Sequence, residues 1–195
     1  MNACAILPNY TSFSFALEVV VLKPQDCVIL IKLLANPSVA WSQRQLASVL
    51  CISLGEINAG IKRLGEAGLL RKDKNSRLFP NHHAAEEFLI SAVKFFFPAK
   101  LGEYTRGVPT AVAAPLFHGI IAIGDDPIPV WPDVLGHIKG VALEPLHSSV
   151  IKSLRENPDS VFYDMLVLVD TIRSGRPRER NLAVIFLKEK MKHAK

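Results

Sequence analysis

The sequence predicts a mainly helical α+β fold that contains one small β-hairpin. Apolar residues recur at intervals of three and four over most of the chain, which is the spacing of amphipathic helices. Between residues 69 and 79, two short apolar runs flank a polar turn, which predicts the hairpin. Frequent glycines and prolines between residues 99 and 150 predict a long irregular connection with short strands.

The composition is that of a folded protein with a modest excess of positive charge. Of the 195 residues, 49% are hydrophobic and 21% are charged, and the net charge is +5. This balance permits a polyanionic partner without demanding one. The three cysteines, Cys4, Cys27 and Cys51, lack paired short spacing. We therefore expect no disulfide framework and no zinc site, and a reducing cytoplasm as the location.

Membrane and secretory signals are not predicted. No apolar run reaches the roughly 18 residues that a membrane-spanning helix needs. The chain does not open with a basic segment followed by an apolar one, so a secretory signal is not expected. No motif implies a cofactor.

The first helix is predicted from Asp26 to Ala35. Pro24 suits a first helical turn, and Asp26 is favourable at the positive end of the helix dipole. Asn36-Pro37 then ends the helix, because proline cannot continue it.

Two further helices are predicted after this stop, joined by a tight turn. Each begins with a capping-box pattern, Ser42 with Gln45 and Ser53 with Glu56, in which two side chains satisfy N–H groups of the first turn. The second helix carries one apolar stripe, made of Leu54, Ile57, Ile61 and Leu64. Gly68 is placed to end it. This order is typical of a helix-turn-helix.

The hairpin and four later segments complete the prediction. Residues 69–71 and 77–79 form the two strands, and a helix follows over 82–97. In the Pro- and Gly-rich region, short strands are expected at 129–131 and 138–143. Two C-terminal helices are predicted over 157–172 and 177–192. We interpret 1–98 as one domain and 99–195 as a region for dimerisation, effector binding or partner binding.

The order of helix, two capped helices, hairpin and helix resembles the winged helix-turn-helix of MarR-type transcriptional regulators. The resemblance covers about residues 22–97 and rests on LKPQDCVILIKLL, SQRQLASVL, SLGEINAGIKRLGEAGLL and the wing at 71–79. It implies sequence-specific binding to double-stranded DNA, with the recognition helix 53–67 in the major groove. The wing would contact the backbone or the minor groove. A homodimer is expected because its two-fold symmetry matches a palindromic operator.

The resemblance assigns DNA contacts to three sets of residues. The first set lies at the start of the helix before the recognition helix, where hydrogen-bond donors suit phosphate. It consists of Ser42, Gln43 and Arg44. The set on the recognition helix is Ser53, Gly55, Glu56, Asn58, Ala59, Lys62 and Arg63. The set on the wing is Lys72, Lys74 and Arg77. Lys62 and Arg63 would reach guanine edges or phosphates, and Asn58 would reach adenine.

The polar face of the recognition helix and Glu56 each have an explanation that does not involve DNA. A polar helix face is often only a solvated face, and a winged helix is also used for contacts with proteins. Glu56 would repel phosphate and is better explained as the acid of the capping box.

A second basic cluster stands at the break between the C-terminal helices. Its members are Arg173, Arg176, Arg178 and Arg180. One interpretation is a second patch for phosphate or for an acidic partner. The interpretation that we favour is a turn whose arginines pair with acids of the same helices, such as Asp164, Asp170 and Glu179.

The chain carries little that indicates an enzyme. It contains no phosphate-binding glycine loop and no nucleophile elbow, and the histidines lack metal-ligand spacing. Asp125-Asp126 is the one carboxylate pair that leaves a weak catalytic alternative, and a turn explains it better. A stronger alternative is an antitoxin-like interaction module whose C-terminal half binds a partner protein.

Overall fold

The computed structural model describes residues 20–74, 77–122, 124 and 127–193 of the chain. The helices within these ranges are α1 (Pro24–Ala35), α2 (Gln43–Leu50), α3 (Leu54–Glu66), α4 (His82–Glu87), α5 (Val93–Phe96), α6 (Ser149–Glu156), α7 (Ser160–Ser174) and α8 (Pro177–His193). The strands are β1 (Leu70–Lys72), β2 (Leu78–Pro80), β3 (Leu101–Pro109), β4 (Pro129–Pro132) and β5 (Ile138–Leu143). A π-helical turn, Phe88–Ala92, joins α4 to α5. The mixed α/β class with small sheets agrees with the prediction.

Helix α1 forms the centre of the core. Residues 26–34 are all buried, so the helix is surrounded on every side rather than on one stripe. It packs against α3 on one side and against α7 on another. The same core cluster contains Leu30 of α1 and Leu168 of α7, so buried packing crosses residue 98, where the sequence predicts a boundary.

The C-terminal helices form where they were predicted, but α7 is an internal helix. Residues 165–172 are buried by the chain itself, because α7 packs between α1 and α8. The apolar side chains of α7 therefore contribute to the core of the chain itself. Val161, in the first turn of α7, is 42% exposed. On α8, Ile185 is 52% exposed, while Leu187 is buried.

Strands β3, β4 and β5 form one small sheet in the region predicted to be irregular. β3 pairs antiparallel with both other strands, and β4 pairs parallel with β5. The predicted strands β4 and β5 are present. Strand β3, and helix α6 after β5, were not predicted. Glycines permit the close packing: a Cβ at Gly107 would fall on the carbonyl of Trp131, and one at Gly140 on the carbonyl of Ile128.

Helix α6 connects this C-terminal region to α2. The Ser153 hydroxyl donates to the carbonyl of Val49 at 2.7 Å. The Sγ atom of Cys51, at the end of α2, lies 3.3 Å from a carboxylate oxygen of Glu156. Cys27, by contrast, is fully buried in α1, as expected for a small apolar side chain. Within the described ranges, no helix has both the length and the apolarity needed to cross a bilayer.

Candidate nucleic-acid interface

Helices α2 and α3 are positioned by their first turns. Ser42 and Gln45 form the complete capping box: the Gln45 N–H donates to Ser42 Oγ at 3.2 Å, and the Ser42 N–H donates to Gln45 Oε1 at 2.9 Å. At α3, Ser53 Oγ accepts from the Glu56 N–H at 3.2 Å. Cys51, with a φ of 52°, adopts the left-handed conformation that separates the two helices. Both helices are capped as predicted, but only α2 has the complete capping box.

Gly68 ends α3 and leads into the hairpin. Its φ of 72° is left-handed, and the Leu69 N–H donates back to the carbonyl of Leu64 at 2.9 Å. β1 then pairs antiparallel with β2, with Arg71 opposite Phe79. The Asn81 side chain does not cap α4 and instead donates to the carbonyl of Gly68 at 3.0 Å.

The start of α2, the start of α3 and the hairpin share one surface groove. Its lining residues are Trp41, Ser42, Gln43, Arg44, Leu54, Lys72 and Leu78. The fold therefore brings together members of all three predicted sets, although the two cationic side chains in the groove, Arg44 and Lys72, are 28 positions apart in the chain. Both residues are exposed.

Several other predicted contact residues are also on the surface. The exposed members are Ser53, Gly55, Asn58, Lys62 and Lys74, and Ala59 is half-buried. Lys62 Nζ lies 3.5 Å from a carboxylate oxygen of Glu66, and both side chains are largely in solvent. Such an exposed pair is weak and can be exchanged for another anion.

Arg63 was predicted to face DNA, and this prediction is wrong. Its guanidinium reaches back to α1, where Nε and Nη2 each lie 2.7 Å from a carboxylate oxygen of Asp26. Asp26 is completely buried, and the Arg63 side chain is only 17% exposed. The hydrogen bonds with Asp26 raise the pKa of Arg63 further. Arg63 therefore joins α3 to α1.

Glu56 also has a different role from the predicted one. Its N–H is capped by Ser53, but its carboxylate accepts a 2.6 Å hydrogen bond from Gln25 Nε2 instead of completing the capping box. This bond, together with the charge of Lys23, lowers the pKa of Glu56. The carboxylate is thus oriented towards the start of α1, and its predicted place among the DNA contacts is not supported by its geometry.

Arg77 is attached to the base of the hairpin. Its guanidinium lies 5.0 Å from the centre of the Phe79 ring, and Nη2 lies 3.4 Å from the carbonyls of Pro37 and Ser38. It therefore braces the hairpin against the loop after α1. Arg71, which the sequence interpretation omitted, is exposed on β1 beside Lys72. The alternation of Leu70 and Arg71 in a short strand was the available signal for it.

The second arginine cluster separates into members with different environments. Arg173 lies inside the protein, where Nη1 contacts Asp170 at 2.5 Å and Nε donates to the carbonyl of Phe97 at 2.7 Å. The predicted pairing with Asp170 is confirmed, and membership of Arg173 in a surface patch is wrong. Arg178 is exposed and Arg180 is half-buried. Asp164 pairs with Lys190 rather than with an arginine of the cluster.

The catalytic alternative depends on Asp125-Asp126, and a metal site depends on grouped His, Cys, Asp or Glu side chains. Asp125-Asp126 lies outside the described residues. Across the described ranges, no three His, Cys, Asp or Glu side chains are grouped as a metal site. Comparison with known proteins found no matching family model, no matching curated protein and no matching solved structure.

Proposed function

We propose that the chain is a sequence-specific transcriptional regulator that binds duplex DNA through a winged helix-turn-helix. In this proposal α1, α2 and α3 form the helical unit, α3 enters the major groove, and the β1–β2 hairpin is the wing on the backbone or in the minor groove. The main support for DNA binding is the groove shared by α2, α3 and the hairpin, which Arg44, Leu54 and Lys72 line.

The charges around this groove suit a phosphate backbone. Five exposed cations lie on the three elements, namely Arg44, Lys62, Arg71, Lys72 and Lys74. Glu56, the acid nearest the start of α3, is occupied by Gln25. Cations held on a rigid surface bind DNA largely by displacing condensed counterions, so affinity falls as salt rises. The ordered N-terminus of α2 adds backbone N–H groups that suit phosphate.

The experiment measures binding of the purified chain to duplexes selected from a random library, at several salt concentrations. Arg44→Ala and Lys72→Ala should each reduce the slope of log affinity against log salt by about 1, because each removes one phosphate contact. Lys192→Ala removes the same charge from the exposed end of α8 and should leave the slope unchanged. Absence of salt-sensitive duplex binding would reject the proposal.

We further propose that the bound form is a cytoplasmic homodimer, because one recognition helix reads only a short half-site. Sedimentation of the protein–DNA complex tests this, with two chains expected on each operator. A single chain bound to a full-affinity duplex would contradict it.

The alternative of a protein-interaction module has its own supporting observation. Apolar side chains that the fold leaves in solvent include Val134, which is 94% exposed, and Leu135, which is 60% exposed, in the turn after β4. If this alternative holds, a second protein co-purifies at a fixed ratio. Substituting both residues with serine should then release it and leave DNA affinity unaltered.

A further inference from the structure

Only some polar side chains on the surface of α3 are free to contact DNA bases, because others are held by residues of α1. Arg63 is committed to Asp26, and the carboxylate of Glu56 accepts from Gln25. Lys62 is exposed, but a flexible ammonium suits phosphate as well as a base edge. Leu54 and Asn58 differ from these three because neither side chain forms a hydrogen bond or an ion pair in the described part of the chain.

Leu54 lies outside the buried core cluster. It was predicted to begin the buried stripe of α3, yet it is 39% exposed, and burial begins one turn later at Ile57. It lines the same groove as Arg44 and Lys72, where part of this apolar side chain stays in contact with solvent. An apolar group among cations gains free energy only when a partner covers it.

Asn58 lies one helical turn after Leu54 on the same face. It is exposed, and its amide makes no hydrogen bond with any residue in the described ranges. Residues i and i+4 of a helix are about 6 Å apart along the axis, which corresponds to about two base-pair steps. Between them, Gly55 has open space where a Cβ would be, so the backbone there can approach a base edge closely.

We propose that Leu54 and Asn58 determine the DNA sequence preference and that they read two A·T base pairs about two steps apart. In the major groove only thymine presents a methyl group, which is the partner for Leu54. Adenine presents N6 as donor and N7 as acceptor, which matches the amide of Asn58 in a bidentate pair. Each half-site therefore contains a thymine and an adenine within about two steps of each other. This inference rests on the proposed DNA-binding function.

The experiment uses a duplex selected by the full-length chain from a random library, with each thymine replaced in turn by deoxyuridine. The replacement removes only the methyl group. One position should lower wild-type affinity by about 4-fold, as expected for one buried methyl group. Leu54→Ala should bind more weakly and show no response to deoxyuridine at that position. Asn58→Ala should lose about 5- to 150-fold of the preference for adenine at the position about two steps away.

Lys72→Ala is the matched control, because it should weaken binding to all duplexes while the deoxyuridine response persists. Unaltered circular dichroism and melting of Leu54→Ala would show that this exposed site does not support the fold. Equal deoxyuridine responses in wild type and Leu54→Ala, or selected sites without a fixed A·T pair, would overturn the inference while DNA binding stands. Absence of salt-sensitive binding to any duplex would overturn the proposed function and this inference together.

Discussion

The guanidinium of Arg63 and the carboxylate of Asp26 form a two-pronged ion pair between α3 and α1. Both hydrogen bonds measure 2.7 Å, and Asp26 also accepts from the Lys23 N–H at 2.8 Å. The carboxylate is inaccessible to solvent, and in the part of the chain that the structure describes these groups compensate its charge. The pair therefore fixes how the proposed recognition helix is seated on the central helix of the core.

Arg63→Ala is expected to destabilise the fold by about 3 kcal/mol or more, because it leaves the buried carboxylate of Asp26 without its cation. Urea unfolding measures this loss. The neighbouring Lys62→Ala is the control, since its side chain is 75% exposed, and should change stability by less than about 0.5 kcal/mol. Equal midpoints for the two variants would show that the ion pair does not support the fold.

Helical periodicity predicted α3, but it did not predict that Arg63 contacts Asp26. A spacing of about 100° per residue places its Cα on the polar side, opposite the stripe. The long side chain nevertheless extends around the helix to Asp26, which is 37 positions earlier. No local pattern specifies that contact, because it depends on the angle at which α1 crosses α3. The same reasoning explains Glu56, whose partner Gln25 also lies on α1.

The small sheet was missed for a different reason. β3 spans Leu101–Pro109 and is exposed over most of its length, so its sequence shows no alternation between a buried and a solvated face. Its glycines suggested an irregular segment, whereas Gly107 is required for close contact with Trp131. A segment with a buried face, such as α2 with Leu46 and Leu50, was predictable because burial imposes the period.

A substitution at Gly60 tests the packing between α1 and α3 by steric overlap, whereas Arg63→Ala tests it by loss of charge. A Cβ there would lie 2.7 Å from Ile29 Cδ1 and 2.8 Å from Asp26 Oδ1. Gly60→Ala should therefore cost about 1–3 kcal/mol of the free energy of unfolding, despite the better helix propensity of alanine. At Gly65 no atom lies within 4 Å of such a Cβ, so Gly65→Ala should gain up to about 1 kcal/mol. Thermal melts that shift in the same direction for both would contradict this packing.

In the C-terminal region, Asp170 is a buried carboxylate paired with an arginine, as Asp26 is in α1. Its carboxylate is fully buried and accepts from Trp131 Nε1 at 2.6 Å, Thr110 Oγ1 at 3.1 Å and Arg173 Nη1 at 2.5 Å. Asp170→Ala should cost about 3–5 kcal/mol, since it leaves a buried guanidinium without its partner. Near-ultraviolet circular dichroism of Trp131 should weaken in the same variant. Asp164→Ala, on the same helix but at a more exposed pair, should cost less than about 1 kcal/mol.

Lys32 and Asp159 form a third buried contact, between α1 and the start of α7. Lys32 Nζ lies 2.8 Å from Asp159 Oδ2, and Asn36 Nδ2 donates to the same oxygen at 2.7 Å. The Phe162 N–H donates to Asp159 Oδ1 at 2.9 Å, which caps α7. Burial opposes ionisation of Asp159, but these hydrogen bonds outweigh it and lower its pKa below 3.8.

Asp159→Asn should therefore destabilise the protein by about 3 kcal/mol at pH 7, where the ionised carboxylate compensates the buried ammonium of Lys32. A lowered pKa in the folded state means that this contribution is complete above the ordinary value of 3.8 and is lost as the pH falls through the folded value. Urea unfolding from pH 7 to pH 3 should show a constant difference between wild type and variant down to about pH 5 and a shrinking one below pH 4. The surface variant Glu66→Gln should remain within about 0.5 kcal/mol of wild type throughout. A difference for Asp159→Asn that widens on acidification would contradict the ion pair.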